Sequence, residues 1–510
     1  MTVSVGTGVS IGNLVTSTVD PDTGGSRLSA GDKDFVIGSP ASRLVIWGDS
    51  FAMTSTTTTT PTSASASGGV VTIVKTAHGL YNGQRMNHIG FSQPLANVFD
   101  SLITRIDANS YSYSAPGLAD GALSSGAGWQ SVAADYYSQA RIGSNISRRS
   151  KAAFDVSKSA GLGSHRTDQT LAYLDYVRSL RPDVLAIVEG YNDIAQGIAK
   201  EVTLANIVAK INAFPGVPKL VSSLSPWLAG ATANGATGRQ KVVWINKQLA
   251  ALCRQLPGCY FIDIYSKSVN PLTGLAKAGW ISATDSIHPT AIWADTWAQM
   301  AIAALAGDNL KPHALTASFE DNKATDATNT NLNPNAPWTN TGGNAGGFGT
   351  AAAGVTIARE TGTPGVIASV VTDSEGVGYA QRVVITPGAA SDQVRITFAL
   401  TAADFVAGAS LFVKAKINTV NFSTSNCSQV FSQFIFVDDT GTRTIWDGIG
   451  SPVTGEFIQS DYVDAVIGWD GLKVPNAPLT LARFDVVVKF SAASVTPMTL
   501  DVSRVSTDQM

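Results

Sequence analysis

Between residues 43 and 306 two hydrophobic patterns alternate along the chain. Short, unbroken apolar runs recur at Arg43 to Gly48 (RLVIWG), at 183–190 (DVLAIVEG), at 219–225 (KLVSSLS) and at 259–264 (CYFIDI), with a weaker one at 152–158 (AAFDVSK). Runs of this length without polar alternation suit strands buried on both faces. Between them the apolar positions fall at helical spacing. Leu171, Leu174, Val177 and Leu180 share one face, with Thr167 as the predicted N-cap and Pro182 as the stop. Val242, Ile245, Leu249, Leu252 and Leu256 define a second helix, and 290–306 a third. Strands alternating with helices predict a parallel sheet covered by helices on both faces.

One segment breaks the alternation. Five threonines at 56–60 lead into PTSASASGG, and the chain then alternates in the β manner through VVTIVKTAHGLYNGQRMNHIG and LITRIDANSYSYSAPG. The helix due after the first strand is predicted only at 129–141. Residues 62–127 therefore read as a small β domain inserted into the α/β domain, which itself comprises 41–61 and 128–312. Residues 1–40 lack helical periodicity and read as an arm. After 312 the helical pattern stops, and many short strand candidates separated by Gly, Asn, Asp and Pro turns predict a C-terminal β-sandwich over 313–510.

Composition narrows the function classes. Charged residues make up 14% of the 510, and the net charge is -3. A protein that binds duplex nucleic acid through phosphate contacts carries a basic excess, which this one lacks. Hydrophobic residues at 44% exclude whole-chain disorder. Three cysteines cannot form a disulfide framework; Cys253 and Cys259 are close enough in sequence to pair, but buried free thiols are the preferred reading. The sequence shows neither the pattern of a secretion signal nor an apolar stretch long enough for a membrane span.

Four short blocks carry the candidate chemistry, each just after a predicted strand, where α/β sheets gather their ligands. Gly48-Asp49-Ser50 follows the first strand and exposes a serine hydroxyl. Ala160 to Ser164 follows the second, and a glycine N–H there is a candidate donor, Gly163 by preference and Gly161 as the alternate. Gly190-Tyr191-Asn192-Asp193 follows the third and supplies the Asn192 amide. Asp285-Ser286-Ile287-His288-Pro289 precedes the last helix. A serine hydroxyl is a poor nucleophile until an imidazole takes its proton and a carboxylate orients that imidazole. Asp285 and His288 are spaced to supply both. Taken singly, each block is an ordinary turn. A competing pattern, the G-x-S-x-G elbow, is matched literally at Gly8-Val9-Ser10-Ile11-Gly12, but that match sits in the arm without a convincing strand before it; the elbow serine also belongs deep in its domain, whereas Ser50 ends the first strand.

In this order the four blocks resemble the SGNH (GDSL-like) hydrolase family over residues 43–306. The resemblance implies a three-layer, flavodoxin-like α/β fold and ester hydrolysis without cofactor or metal. It implies Ser50 as nucleophile, His288 as general base and then acid, and Asp285 as its orienting partner. The oxyanion hole would be the N–H groups of Ser50 and Gly163 with the Asn192 amide. The family's G-D-S-L continues here as Phe51, and its glycine block is the least defined.

Two further resemblances bear on context. The HGL…G opening and ITxIDANSYSY-type closing of the insertion resemble small β modules of phage tail and virion proteins. The SFE…W opening of the C-terminal region resembles jelly-roll carbohydrate-binding modules, and an oligomerisation or stalk sandwich fits it equally well. Together they suggest a phage tail fibre or spike that deacetylates a bacterial surface polysaccharide, with the arm attached to virion or tail components. Such a protein would act on the virion or outside the cell after lysis, with neither nucleic acid nor membrane insertion involved. Such spikes are often trimers, so a homo-oligomer is expected, though no heptads mark one. Two alternatives remain open at this point, a non-catalytic glycan-binding adhesin and a bacterial carbohydrate esterase with a binding module. His78, Tyr81, His88 and Phe91 of the insertion, His165, and Trp338, Trp446, Tyr462 and Trp469 of the sandwich are the candidate glycan contacts, with core packing as the default for the aromatics.

Overall fold

A computed structural model of the chain describes residues 3–5, 9–11, 42–52, 58–59, 61–98, 101–133, 142–151, 153–156, 159–231, 235–306, 331–333, 342–376, 378–438, 441–450, 460–475 and 478–509. They divide into two compact units. The first comprises Met1–Met53, Ala140–Ile146 and Ala153–Pro312, and the second Thr54–Gln139, Ser147–Ala152 and His313–Met510. The inserted β region and the C-terminal β region thus count as one unit rather than two.

The first unit is built on a parallel sheet. Its strands are β1 (Ser42–Gly48), β2 (Phe154–Asp155), β3 (Ser159–Gly161), β4 (Val184–Val188), β5 (Lys219–Ser222) and β6 (Cys259–Ile262). β2 and β3 both pair with β1, and the order across the sheet continues β1, β4, β5, β6. Counting β2 and β3 as one position gives the order 2-1-3-4-5, which occurs in doubly wound open sheets. Leu44 to Trp47, Val184 to Val188, Leu220 and Val221 are all buried, which accounts for the unbroken apolar runs. The helix Ala236–Gln255 buries Val242, Ile245, Leu249 and Leu252. The helix Ala291–Ala304 buries Trp293 and Trp297, whose indole N–H groups donate to Ser225 (2.9 Å) and Ser222 (3.1 Å) at the end of β5. These two bonds anchor the last helix, and so the loop just before it.

Three local expectations are corrected. The helix predicted from Thr167 is two pieces, Thr167–Leu171 and Leu174–Ser179. Thr167 is its first helical residue rather than its cap, because its hydroxyl and N–H are taken by the Asp193 carboxylate at 2.5 and 2.9 Å. Of the helix predicted at 129–141, residues up to 133 belong to the strand Ser125–Ala133, which pairs with Arg85–Phe91 and Thr58–Thr59; the rest lie outside the described residues. Ladder hydrogen bonds to two neighbours override an ambiguous local preference. In the arm, Val3–Val5 and Val9–Ile11 pair as antiparallel strands, and the remainder lies outside the described residues.

In the second unit, the inserted region forms a five-stranded and a four-stranded sheet spanning Thr58 to Ala133, wider than the predicted 62–127. Val71, Ile73, Tyr111, Tyr113 and Phe91 are in its core. The C-terminal region folds as two five-stranded antiparallel sheets. They meet where Trp469 of one sheet packs edge-on against Phe484 of the other, ring centroids 6.2 Å apart. Within this unit Arg148 pairs with Asp447 at 2.6 Å, both side chains 1% exposed. Removing one partner of a buried pair strands the other charge. Arg148→Ala is therefore expected to cost this unit about 3–5 kcal/mol, read as an earlier urea midpoint.

Candidate active site

The nucleophile block is set by the close approach of two strands. Gly48 has φ +158°, and a Cβ there would lie 1.9 Å from the Val188 carbonyl oxygen of β4. The chain then turns sharply. The Asp49 carboxylate accepts the Phe51 N–H at 3.0 Å, the Asp49 carbonyl accepts the Ala52 N–H at 3.1 Å, and Ser50–Ala52 forms a single 3-10 turn. This lifts Ser50 past the carboxyl end of the sheet.

The loop ahead of the last helix meets it there. His288 Nε2 lies 3.0 Å from Ser50 Oγ, although the two residues are 238 apart in sequence. His288 Nδ1 lies 2.7 Å from Asp285 Oδ2. A carboxylate only accepts, so Nδ1 carries the hydrogen and the bare Nε2 accepts the Ser50 O–H. Asp285 Oδ1 accepts the N–H groups of Ile287 and His288, each at 2.9 Å. Burial works against the Asp285 charge, but the His288 and Ile287 N–H groups and the His288 ring outweigh it and hold its carboxyl below the usual range. The loop is fastened by Ser286 N–H to the Ser282 carbonyl, Ser282 N–H to the His288 carbonyl, and Leu228 N–H to the Ser286 carbonyl, with Ser286 in the left-handed region at φ +65°. The His288 and Asp285 side chains are 38% and 41% exposed, so the site opens to solvent.

The candidate oxyanion donors lie at the neighbouring strand ends. Gly161 is in register with Gly48 inside the sheet, and Gly163 comes after it, in the turn past the end of β3. The Gly163 carbonyl oxygen lies 2.8 Å from His165 Nδ1. Asn192 stands in the first turn of the short helix Tyr191–Ala195, and its amide donates to the His165 carbonyl at 2.9 Å. That bond fixes the amide plane, and the amide nitrogen carries a second hydrogen. Gly190 before it has φ +119°, and a Cβ there would come within 2.8 Å of Leu224.

His165 is not a surface contact for substrate. It is 6% exposed and its two neighbours in this arrangement are Gly163 and Asn192, so it holds the two donor segments together. Burial pushes its imidazole below the ordinary range, against the pull of the Gly163 carbonyl. His78, Tyr81, His88 and Phe91 are also buried, His88 stacked on Tyr113 with ring centroids 3.7 Å apart, and they pack the second unit. Tyr462 and Trp469 are fully buried as well, whereas Trp446 is 36% exposed; Trp338 lies outside the described residues. Cys253 and Cys259 are buried free thiols with sulfurs 3.2 Å apart. Among the described residues no group of three or more His, Cys, Asp or Glu is arranged to hold a metal ion.

Sequence reasoning treated Asp49, Glu189, Asp193 and Lys210 only as neighbours of the motifs or missed them. All four are buried behind the site. Lys210 Nζ lies 2.5 Å from both Glu189 carboxylate oxygens, and Asp193 holds Thr167 and Thr203. The Asp after Asn192 was visible in the sequence, but nothing local marked Lys210, 21 residues beyond Glu189.

Residues 120–292 match the model of the GDSL-like Lipase/Acylhydrolase family. Ser50 lies before the matched segment. Similar solved structures include a GDSL-like lipase from Bacteroides thetaiotaomicron (17% identity, TM-score 0.27, covering 33% of this chain and 80% of that one). A lipase/acylhydrolase from Enterococcus faecalis is 21% identical with TM-score 0.28, covering 34% of this chain and 87% of that one. The enzymatically active domain of Bacteriophage CBA120 tailspike protein 4 is 16% identical with TM-score 0.20, covering 31% and 19%. No curated protein matches. The chain carries a hydrolase domain of the GDSL-like acylhydrolase type, an esterase and lipase class, together with a largely β C-terminal region.

Two outcomes follow for the site. A fluorophosphonate probe is expected to label wild-type protein on the Ser50 peptide, not to label Ser50→Ala, and to label His288→Ala at least ~100-fold more slowly, as read by mass spectrometry. Asn192→Ala is expected to lower kcat on a soluble ester by about 10²–10³ with little change in KM, since an oxyanion donor acts on the transition state.

Proposed function

We propose that the protein is a serine esterase of SGNH type, within a three-layer flavodoxin-like domain, that removes acetyl groups from a bacterial surface polysaccharide as part of a phage tail fibre or spike. The observation that carries the chemistry is the continuous line Ser50 Oγ, His288 Nε2, His288 Nδ1, Asp285 Oδ2, with contacts of 3.0 and 2.7 Å. Ser50 Oγ attacks the ester carbonyl carbon while its proton passes to His288 Nε2. The negative charge that develops on the carbonyl oxygen faces the Ser50 and Gly163 N–H groups and the Asn192 amide. One such donor contributes about 3 kcal/mol to the transition state. Collapse expels the sugar alkoxide, which takes the proton from His288, and leaves an acetyl-Ser50 ester. Water then attacks this ester with His288 again as base; the bond from Ser50 Oγ to the acyl carbon breaks, His288 returns the proton to Ser50 Oγ, and acetic acid leaves and ionises to acetate. Asp285 keeps Nδ1 protonated throughout and stabilises the imidazolium.

The polysaccharide reading is supported by the openness of the site and by the low charge of the chain. Glycans offer hydroxyls and apolar sugar faces rather than charge, and exposed aromatics and hydroxyls suit them. The phage context rests on the resemblance of the inserted module to virion β modules. In that setting the arm attaches the protein to the particle, and the protein leaves the cell on lysis.

Acetate release from O-acetylated capsular or lipopolysaccharide O-chain preparations tests this reading. Wild type is expected to release acetate and His288→Ala to release none above background. If simple acetyl esters are cleaved while none of these polysaccharides is, the substrate assignment fails and the hydrolytic chemistry stands. Polysaccharide binding without turnover of any ester would instead mark an adhesin.

A further inference from the structure

Behind Ser50 lies a carboxyl group that the catalytic line does not use. Asp49 is 1% exposed. Its Oδ1 accepts the Phe51 N–H and its Oδ2 accepts the Gly190 N–H, each at 3.0 Å. The first bond shapes the turn that presents Ser50. The second fastens that turn to the residue preceding the helix of Asn192, 141 positions further along the chain. One carboxylate therefore spans the nucleophile and a candidate oxyanion donor, and each of its oxygens is committed to a different side.

The charged and titratable groups that face Asp49 can be named. Glu189 follows β4, Asp193 stands on the helix Tyr191–Ala195, and Lys210 stands on the helix Lys200–Asn212. Lys210 is drawn to Glu189 at 2.5 Å. His288 lies beyond Ser50. Three buried carboxyls thus share one buried ammonium. Burial, with the Glu189 and Asp193 charges beside it, pushes the Asp49 carboxyl up to about 7 against the pull of the Phe51 and Gly190 N–H groups. Asp49 also lines a small cleft with Phe51, Tyr191, Ser223, Ser225 and Trp293.

We propose that Asp49 is a positioning residue that holds the Ser50 turn and the Asn192 helix together only while it is ionised, so that a proton on Asp49 adds one to the number that switch the enzyme off on the acid side. The inference rests on the esterase reading above. A carboxylate offers an acceptor oxygen to each N–H. Protonation removes the charge and turns one oxygen into a hydroxyl, a much weaker acceptor than a carboxylate oxygen, so the bond to one of the two buried N–H groups weakens. The nucleophile or the oxyanion donor is then released from its position. The effect falls on the transition state rather than on substrate binding.

The test is the pH dependence of kcat/KM on a soluble acetyl ester. Wild type is expected to show an acid limb whose limiting slope approaches two. Asp49→Asn, which has only one acceptor oxygen at any pH, is expected to lose roughly 100-fold in kcat with KM little changed and to show a limiting slope of one. A purely structural Asp49 would lower activity without changing the slope. A slope of one in wild type overturns the inference, and so does a slope of two that survives in Asp49→Asn. Circular dichroism and thermal melting establish that the variant is folded; if it is not, the wild-type slope decides. Absence of any ester hydrolysis together with absence of Ser50-dependent fluorophosphonate labelling would overturn the esterase reading itself, an outcome separate from a slope of one in an active enzyme.

Discussion

The close approach of β1 to β4 at their carboxyl ends is the constraint on which the site depends. At Gly48 the chain passes so near the Val188 carbonyl that a methyl group would collide with it. This proximity lets Asp49 reach the Gly190 N–H, sets the turn that lifts Ser50 and fixes where Asn192 emerges. The opposite side is held differently. Trp293 and Trp297 anchor the last helix to serines at the end of β5, and the Asp285–His288 loop is thereby held in reach of Ser50. The line from Ser50 through His288 to Asp285 is short because both sides are fastened to the same sheet edge, Ser50 through the backbone and His288 through a packed helix.

The parts legible in the sequence were those where one local pattern has one structural outcome. A run such as DVLAIVEG can be buried only if both faces of its strand are covered, and Val184 to Val188 are indeed buried throughout. Ser50, Asn192, Asp285 and His288 stood out as candidates because each lies just past a strand or before a helix. Parallel sheets bring such positions to one edge whatever their separation along the chain.

The rest was not legible because it depends on partners distant in sequence. Residues 129–133 read as the start of a helix until the strands beside Ser125–Ala133 supply ladder bonds. Thr167 looks like a cap until Asp193 takes its hydroxyl. Lys210 looks like an ordinary helix lysine in KEVTLANIVAKIN; only the fold shows that it is buried, 4.6 Å from the Trp47 ring centroid and in contact with Glu189. His165 was a candidate glycan contact by its place beside the glycine block, whereas it is buried and lies against the Gly163 carbonyl.

The low charge of the chain takes on a different meaning in this light. The hydroxyl-rich surface is present, with Ser63, Ser65 and Ser67 exposed on one face of the inserted sheet. Yet several of the few charges are in the interior: Lys210 with Glu189, Arg148 with Asp447, and Lys416 with Asp373 all have side chains no more than 1% exposed. Buried pairs add little net stability compared with apolar packing, but they are costly to mispair. A chain that spends scarce charges this way gains specification of position. In the first unit the Lys210–Glu189 pair fills the space behind Asp49 and the nucleophile turn. In the second, Arg148 and Lys416 fix where segments join the β sheets. The charges absent from the surface are, in part, those that hold the interior in register.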